Sequence, residues 1–255
     1  MDRREALRAA TVISAGGIVS ACGPGARPAA PPSTSSPATP ATPAAAGPTT
    51  ATTTKALPAE ISHGPRDRAK VALTFHGQGD PVIVSRLLDE IANGKAHVTV
   101  LAVGTWLTAQ PHLARRIVAA GHELGNHTQH HGDIKRMSAA RAHAEINDCA
   151  RALRSLTGSI GRWFRPSQTQ YATSMIKDQA RRVGYATCLS YDVDSLDYTD
   201  PGADAVVANT LKAAGNGSII SLHFGHAGTV TAMAALLRGL RDRGLQPVTV
   251  SELIA

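Results

Sequence analysis

The sequence predicts an α/β domain built as a distorted (β/α) barrel of about seven parallel strands. Continuous apolar strands alternate with helical patterns from residue 70 onward, which favours a parallel sheet covered on both faces. Polar clusters follow the carboxyl ends of at least five of these strands. A barrel collects its active site at that edge, so we favour a barrel over an open doubly wound sheet.

Residues 1–22 have the layout of an export signal. A charged start containing Arg3 and Arg4 precedes a short apolar run, and small residues follow up to Cys22. The ending Val-Ser-Ala-Cys resembles a bacterial lipobox, in which Cys22 would be lipidated, and the arginine pair suggests twin-arginine export. An ordinary secretory signal with an incidental cysteine is the alternative. We expect an exported protein, anchored to the cell membrane by lipid and facing the cell wall or the extracellular side.

Residues 23–65 are predicted to form a tether. Their composition is dominated by Pro, Ala, Thr, Ser and Gly without an apolar period, so they cannot bury enough surface to fold. Residues 66–255 remain for a single domain, which is long enough to bury a sizeable core.

Composition argues against a nucleic-acid partner. The formal net charge is +7, but the arginines are scattered and aromatic residues make up only 4% of the chain, which disfavours a base-stacking platform. A basic surface suits an anionic wall or membrane equally well. We expect a monomer. An exported domain permits a disulfide between Cys149 and Cys188, but a sequence does not show whether two cysteines are close in space, so their pairing is left open.

The predicted elements follow from local patterns in chain order. Short β-prone runs predict strands at 71–75, 97–103, 122–127, 162–166, 186–193, 218–224 and 247–253. Helical spacing of apolar residues predicts helices over 81–94 and 138–158, the second ending at Gly158.

The segment His-Thr-Gln-His-His contains candidate metal ligands. His127 and His131 are four residues apart and would share a face if the segment turned helically after its strand. Two imidazoles at that spacing suit zinc or another divalent ion. His130 is a rival for the second position, and a solvated surface turn is the simpler alternative.

Other polar residues also stand at strand ends. Arg165 could hold a carboxylate or a substrate oxygen in its planar fork. Asp192, Asp194 and Asp197 together exceed what capping one helix requires. His223 ends an apolar strand, which makes it a candidate general acid or base.

Taken together, these residues resemble the polysaccharide deacetylase family, the NodB-homology carbohydrate esterases, over residues 70–254. The run "HTQHH" is similar to the family motif His-Ser/Thr-x-x-His, and "ISLH" is similar to Leu-x-Leu-His. Arg165 followed by Pro166 matches the Arg-x-Pro-aromatic motif only in part. Asp197 followed by Tyr198 resembles the motif in which tryptophan follows an aspartate.

The resemblance implies a distorted barrel and metal-assisted hydrolysis of an N- or O-linked acetyl group on a cell-envelope glycan. It implies that His127 and His131 bind the metal and that His223 is the general acid. Asp197 would orient His223, Arg165 would position the base, and Tyr198 would form a wall of the sugar groove.

The first family motif, Thr-Phe-Asp-Asp-Gly, is altered, because the chain reads Thr-Phe-His76-Gly77 there. Both family carboxylates, the base and the third ligand, are missing. His76 could be the base with Asp80 as the third ligand. Alternatively, His76 could complete a three-histidine site with Asp80 as the base. A third possibility is a catalytically inactive lipoprotein that binds glycan in the same groove.

Overall fold

The computed structural model describes residues 56–255, so Cys22 and the predicted export signal lie outside the described residues. Within this range no helix is both long and apolar enough to span a membrane. The folded domain begins earlier than predicted. Glu60–Ile61 already forms a strand that pairs in parallel with Cys188–Leu189, although the sequence analysis assigned these residues to the tether.

Strands and helices alternate through the described chain. The strands are β1 (Glu60–Ile61), β2 (Lys70–Gly77), β3 (Thr99–Ala102), β4 (Glu123–Asn126), β5 (Cys188–Leu189), β6 (Val193–Asp194), β7 (Ile219–His223) and β8 (Gln246–Val248). The helices are α1 (Pro81–Asn93), α2 (Gly104–Ala109), α3 (Pro111–Ala119), α4 (Ala139–Thr157), α5 (Ser174–Val183), α6 (Ala203–Ala213), α7 (Ala227–Asp242) and α8 (Val250–Ile254). Short 3₁₀ turns lie at Ile134–Arg136 and Asp197–Thr199.

The strands form a parallel arrangement centred on β2. Their order is β4-β3-β2-β7-β6, with β8 beside the first half of β2 and β5 paired with β1. Bridges at Phe164 connect the end of β4 to β5, and His63 bridges Ser218 on the other side. The prediction of a distorted barrel is confirmed. The barrel is irregular, because the hydrogen bonding between neighbouring strands is not continuous around it.

Three predicted strands differ from the structure. Residues 162–166 contribute only the isolated bridges of Phe164, and residues 186–193 contain two short segments, β5 and the start of β6. The prediction of a strand through residue 253 is wrong, because the chain turns into α8 after Thr249. Thr249 and Glu252 form a capping box, and this local signal outweighs the alternating apolar pattern.

Side chains of β2 alternate between two environments, as the pleat of a strand requires. Val71, Leu73 and Phe75 pack in the cluster that contains the buried faces of α1 and α7. Ala72 lies in a different cluster, in the barrel interior with Leu101 and other strand residues. The same alternation directs His76 into the interior at the carboxyl end of β2.

Cys149 and Cys188 are both buried and free, so the disulfide that the sequence left open is not formed. Burial raises the pKa of each thiol to about 12.

Candidate metal centre and active site

The register of the parallel strands brings two predicted site residues together. His76 of β2 is the direct neighbour of His223 of β7, and their ring centroids are 4.3 Å apart. The Oγ of Ser221, which lies on the same face of β7 two residues earlier, is 3.2 Å from Nε2 of His76. Ser221 was not among the predicted site residues, although the period of two along β7 could have indicated it.

Three histidines form a cluster that could hold a metal ion. His76, His127 and His131 each offer a ring nitrogen, and these atoms all lie within 4.8 Å of one another. The Nδ1 of His127 is 2.9 Å from the carbonyl oxygen of Arg165, so Nδ1 donates and Nε2 presents a lone pair. That Nε2 atom is buried and has no hydrogen-bond partner, as expected for a ligand atom.

The predicted helical turn between His127 and His131 is wrong. The chain runs there through irregular loop, with left-handed backbone at Thr128 (φ 69°) and His131 (φ 58°). These dihedrals bring the two imidazole rings to a centroid distance of 4.8 Å. His130, the rival candidate, turns away and bonds to Glu145 of α4.

The histidines of the cluster are held in their neutral form. Burial lowers the pKa of His76, of His127 and of His131, and the positive charges of neighbouring side chains, His223 in all three cases, lower each pKa further. Metal ligands must be deprotonated, so neutral imidazoles suit metal binding. Three neutral histidines are also the ligand set of hydrolytic zinc sites. The residues present therefore fit a divalent metal.

Asp80 does not belong to this cluster. Its side chain caps the start of α1 and accepts hydrogen bonds from the backbone N–H groups of Val82, at 2.8 Å, and Ile83, at 3.2 Å. It lines the same cavity as His76, but the third ligand offered by the structure is His76. The sequence signal for the cap was an aspartate directly before Pro81, the usual start of a helix.

The half-buried His223 and the fully buried Asp197 form a hydrogen-bonded dyad. The Nδ1 of His223 donates to Oδ1 of Asp197 at 2.8 Å, which leaves Nε2 of His223 as the free ring nitrogen. Oδ2 of Asp197 accepts from the backbone N–H of His223 at 2.8 Å and from the hydroxyl of Thr229 at 2.7 Å. Burial alone would raise the pKa of Asp197, but its bonds to His223 and Thr229 lower that pKa below its usual value.

A second, more exposed dyad lies beside the first. Nδ1 of His226 is 2.9 Å from Oδ1 of Asp200, and the Asp200 side chain is 68% exposed. The ring centroids of His223 and His226 are 6.1 Å apart. The two dyads connect the same two loops, one after β6 and one after β7.

Arg165 is fully buried and does not line either cavity at the site. Its guanidinium donates to the carbonyl oxygens of Leu189 and Ser190 and to the hydroxyl of Thr74. The prediction that Arg165 holds a carboxylate or a substrate oxygen is therefore wrong. Its backbone carbonyl instead fixes the ring of His127, and burial lowers the pKa of its guanidinium to about 10.

Two cavities lie beside the histidine cluster. One of about 580 Å³ is lined by Trp106, Phe224 and His226, and the other of about 380 Å³ by Gln168, Tyr191 and Tyr198. His76, His131 and His223 line both cavities. Tyr198 is 49% exposed and its ring centroid is 5.2 Å from that of His223, a suitable position for a wall of a sugar groove.

The other predicted acidic residues have structural partners. Asp192 accepts from Arg66 at 2.6 Å and from the backbone N–H of Ile219 at 2.8 Å, which connects the start of β7 to the loop between β5 and β6. Asp194 accepts from the backbone N–H of Leu196 at 3.0 Å and lines the smaller cavity.

Comparison with known proteins places this site in context. The polysaccharide deacetylase family model matches residues 63–188. The chain is 30% identical to a peptidoglycan-N-acetylglucosamine deacetylase of Bacillus cereus, over 74% of this chain and 90% of that protein. It is 31% identical to a chitooligosaccharide deacetylase of Bradyrhizobium, over 69% of this chain and 86% of that protein. A pseudoenzyme of carbohydrate esterase family 4 from Bacillus anthracis has the same fold, with a TM-score of 0.74 at 22% identity over 78% of this chain and 70% of that one.

Proposed function

Because the chain belongs to the polysaccharide deacetylase family, we propose that it is a metal-dependent deacetylase of a cell-envelope glycan that works outside the cytoplasm. The deacetylases among its relatives support its assignment to the hydrolases of non-peptide carbon–nitrogen bonds. Relatives described as acting on peptidoglycan and on chitooligosaccharide indicate an acetylated glycan as substrate.

One observation carries the proposal. The buried Nε2 of His127, which has no hydrogen-bond partner, lies close to ring nitrogens of His76 and His131. The His223–Asp197 dyad lies beside this cluster at the carboxyl ends of the barrel strands. A buried polar atom without a partner costs about 1–3 kcal/mol, a cost that a bound ion would remove. The residues that would hold the ion are therefore His76, His127 and His131.

We propose zinc as the ion, because three neutral nitrogen ligands suit a borderline metal. When bound, it would polarise the acetyl carbonyl group and activate the attacking water. With His76 as a ligand, the family's aspartate base has no counterpart at that position. Asp80 would then act as base only by releasing the N–H groups of α1 that it caps.

His223 would deliver the proton to the leaving amine or alcohol. Asp197 keeps the hydrogen on Nδ1 and stabilises the protonated ring, so Nε2 is the atom that exchanges a proton with the substrate. Tyr198 would pack against a sugar ring beside His223, and Trp106 and Phe224 would line the wall across the cluster.

The location outside the cytoplasm is part of the proposal. It is supported by the export-signal pattern of residues 1–22, the lipobox-like ending at Cys22 and the Pro-, Ala- and Thr-rich composition of the predicted tether. Lipidation at Cys22 would anchor the enzyme to the membrane, and mass spectrometry of the protein from membranes would detect the modification.

The function is tested by acetate release from N-acetylated glycan oligomers and from acetyl esters by the purified chain. We expect release that stops with a chelator, resumes with added zinc, and is lost in His127→Ala. The variant His112→Ala is the matched control, since His112 is exposed on α3 and lines neither cavity at the site. Absence of acetate release with zinc, cobalt, nickel or manganese would refute the proposal.

The second candidate is an inactive protein that binds glycan in the same groove. It is favoured by the absence of both carboxylates at positions 76 and 77. Under this alternative, glycan binding measured by calorimetry would not require metal and would be unchanged in His223→Ala, with no acetate released.

A further inference from the structure

The loop that carries two of the three clustered histidines requires support from outside. Thr128 and His131 both have positive φ angles, a conformation that non-glycine residues adopt at a cost of about 1–2 kcal/mol. Such a conformation persists only where surrounding contacts determine it. The position of the His131 ring therefore depends on the groups that hold residues 127–131.

Glu145 supplies a buried carboxylate to this loop from α4. Its side chain is only 2% exposed, and Oε2 accepts the backbone N–H of His130 at 2.8 Å. Oε1 of Glu145 accepts from Nδ1 of His130 at 2.9 Å and from the guanidinium of Arg141 at 3.2 Å. A carboxylate that bonds a backbone N–H in a buried setting makes a strong hydrogen bond, because the acceptor is charged and water is excluded.

The opposite side of the loop is held by α2. The N–H groups of Gly104 and Thr105 donate to the carbonyl oxygens of Thr128 and Gln129, at 2.9 and 3.0 Å. Residues 128 and 129 are thus fixed by the start of α2, and residue 130 by Glu145. His131 follows directly, with its own N–H 3.2 Å from the hydroxyl of Thr128.

We propose that Glu145 is a positioning residue for the metal centre, which acts through the backbone of His130 to place the ring of His131 next to His76 and His127. The inference rests on the proposed function in that the cluster binds a metal. It assigns to Glu145 a role that its sequence position did not indicate, since its partner lies 15 residues away in another element.

The test is zinc affinity, measured by competition with a chromogenic chelator on the metal-free, purified chain. We expect Glu145→Ala to bind zinc about 10- to 100-fold more weakly, the loss typical of removing a group that orients a ligand. Glu145→Gln keeps an oxygen that can accept the backbone N–H of His130. Its amide nitrogen would face the side chains of His130 and Arg141, which are exposed and can turn to solvent, so zinc should bind within about threefold of wild type. The control is Asp148→Ala on the same helix, because Asp148 is partly exposed and forms its ion pair with the exposed side chain of Arg151 rather than with the histidine loop.

Amide hydrogen exchange of the metal-free proteins provides a readout that needs neither zinc nor turnover. We expect exchange at residues 128–131 to rise about tenfold or more in Glu145→Ala, as loss of a charged hydrogen bond implies, while exchange in the strands is unchanged. A purely structural role would instead lower the melting temperature and leave zinc affinity of the folded protein unchanged.

The outcomes separate this proposal from the proposed function. Equal zinc affinity of Glu145→Ala and wild type overturns the positioning role, as does an equal loss in Asp148→Ala or no recovery in Glu145→Gln. If the wild type binds no zinc, the proposed metal dependence fails. Hydrogen exchange then decides whether Glu145 holds the loop, and unchanged exchange at residues 128–131 overturns that role too.

Discussion

Replacing Asp197 by asparagine removes one charge from the dyad with little change in shape. Oδ2 accepts from the N–H of His223 and from Thr229, so the amide oxygen of asparagine should take that place. The amide nitrogen then faces Nδ1 of His223, where an acceptor stood at 2.8 Å. Since both groups are donors, the ring must move its hydrogen to Nε2 or lose the bond.

The size of the effect follows from that one bond. A hydrogen bond between a charged acceptor and a buried donor contributes about 1.5–3 kcal/mol. If this energy stabilises the protonated ring in the transition state, its loss lowers turnover roughly 10- to 100-fold. The free energy of unfolding should fall by about 2 kcal/mol at neutral pH.

The assay is acetate release together with urea denaturation at several pH values. The lowered pKa of Asp197 means that its stabilisation is fully present above the ordinary carboxyl pKa of about 4 and is lost as the pH falls through the lower, folded-state value. The difference in stability between wild type and Asp197→Asn should therefore shrink below about pH 4.

Asp200→Asn is the matched control because the Asp200–His226 pair has the same chemistry in an exposed position. Exposed pairs contribute about 0–1 kcal/mol, so this variant should retain most of its activity and stability. The reasoning would be refuted if Asp197→Asn kept more than a third of wild-type turnover, or if both variants lost the same amount.

Three further predictions follow from other parts of the structure. His76→Ala should lose most of its zinc affinity in equilibrium dialysis, whereas Asp80→Asn should bind zinc like wild type; the reverse result would make Asp80 the third ligand. Burial, followed by the charges of His97 and Arg116, lowers the pKa of His122 to about 4 in the folded protein. Between about pH 6.5 and pH 4 the histidine is therefore protonated in the unfolded chain but not in the folded one, so the free energy of unfolding should fall as the pH drops through this range. His122→Gln should remove up to about 3 kcal/mol of that decline in urea denaturation, and an unchanged pH slope would contradict this. Gly158→Ala should lower the free energy of unfolding by about 1 kcal/mol, because φ is 80° at the end of α4, and a neutral result would show that this helix end relaxes.

Local signals explain what the sequence could predict of the fold. The predicted helix over 138–158 corresponds closely to α4, with Ser138 as its cap and Gly158 in the left-handed region directly after it. The strand over 71–75 is also confirmed within β2, because a continuous apolar run marks a strand buried on both sides.

The site was predictable in composition but not in geometry. His127 and His131 were identified from a helical spacing that the chain does not adopt, since their proximity depends on the left-handed backbone at Thr128 and on bonds to distant elements. Glu145 gave no sequence signal, because a glutamate in a helix is usually a solvated residue. Contacts of this kind, between residues far apart in the chain, cannot be predicted from a single sequence.

The route by which the chain enters the barrel has a practical consequence. Ala56 and Leu57 lie with Ile160 and Thr187, residues that precede the strands, whereas the histidines stand where β2, β4 and β7 finish. The described part of the chain therefore enters the barrel at the end where the strands start, whereas the histidines lie at the end where they finish. A domain that begins at residue 56 and is immobilised on a bead or sensor chip through that residue should leave the histidine end of the barrel accessible to a long polymer. Fusion or labelling at residue 56 should likewise leave access to the histidines unchanged.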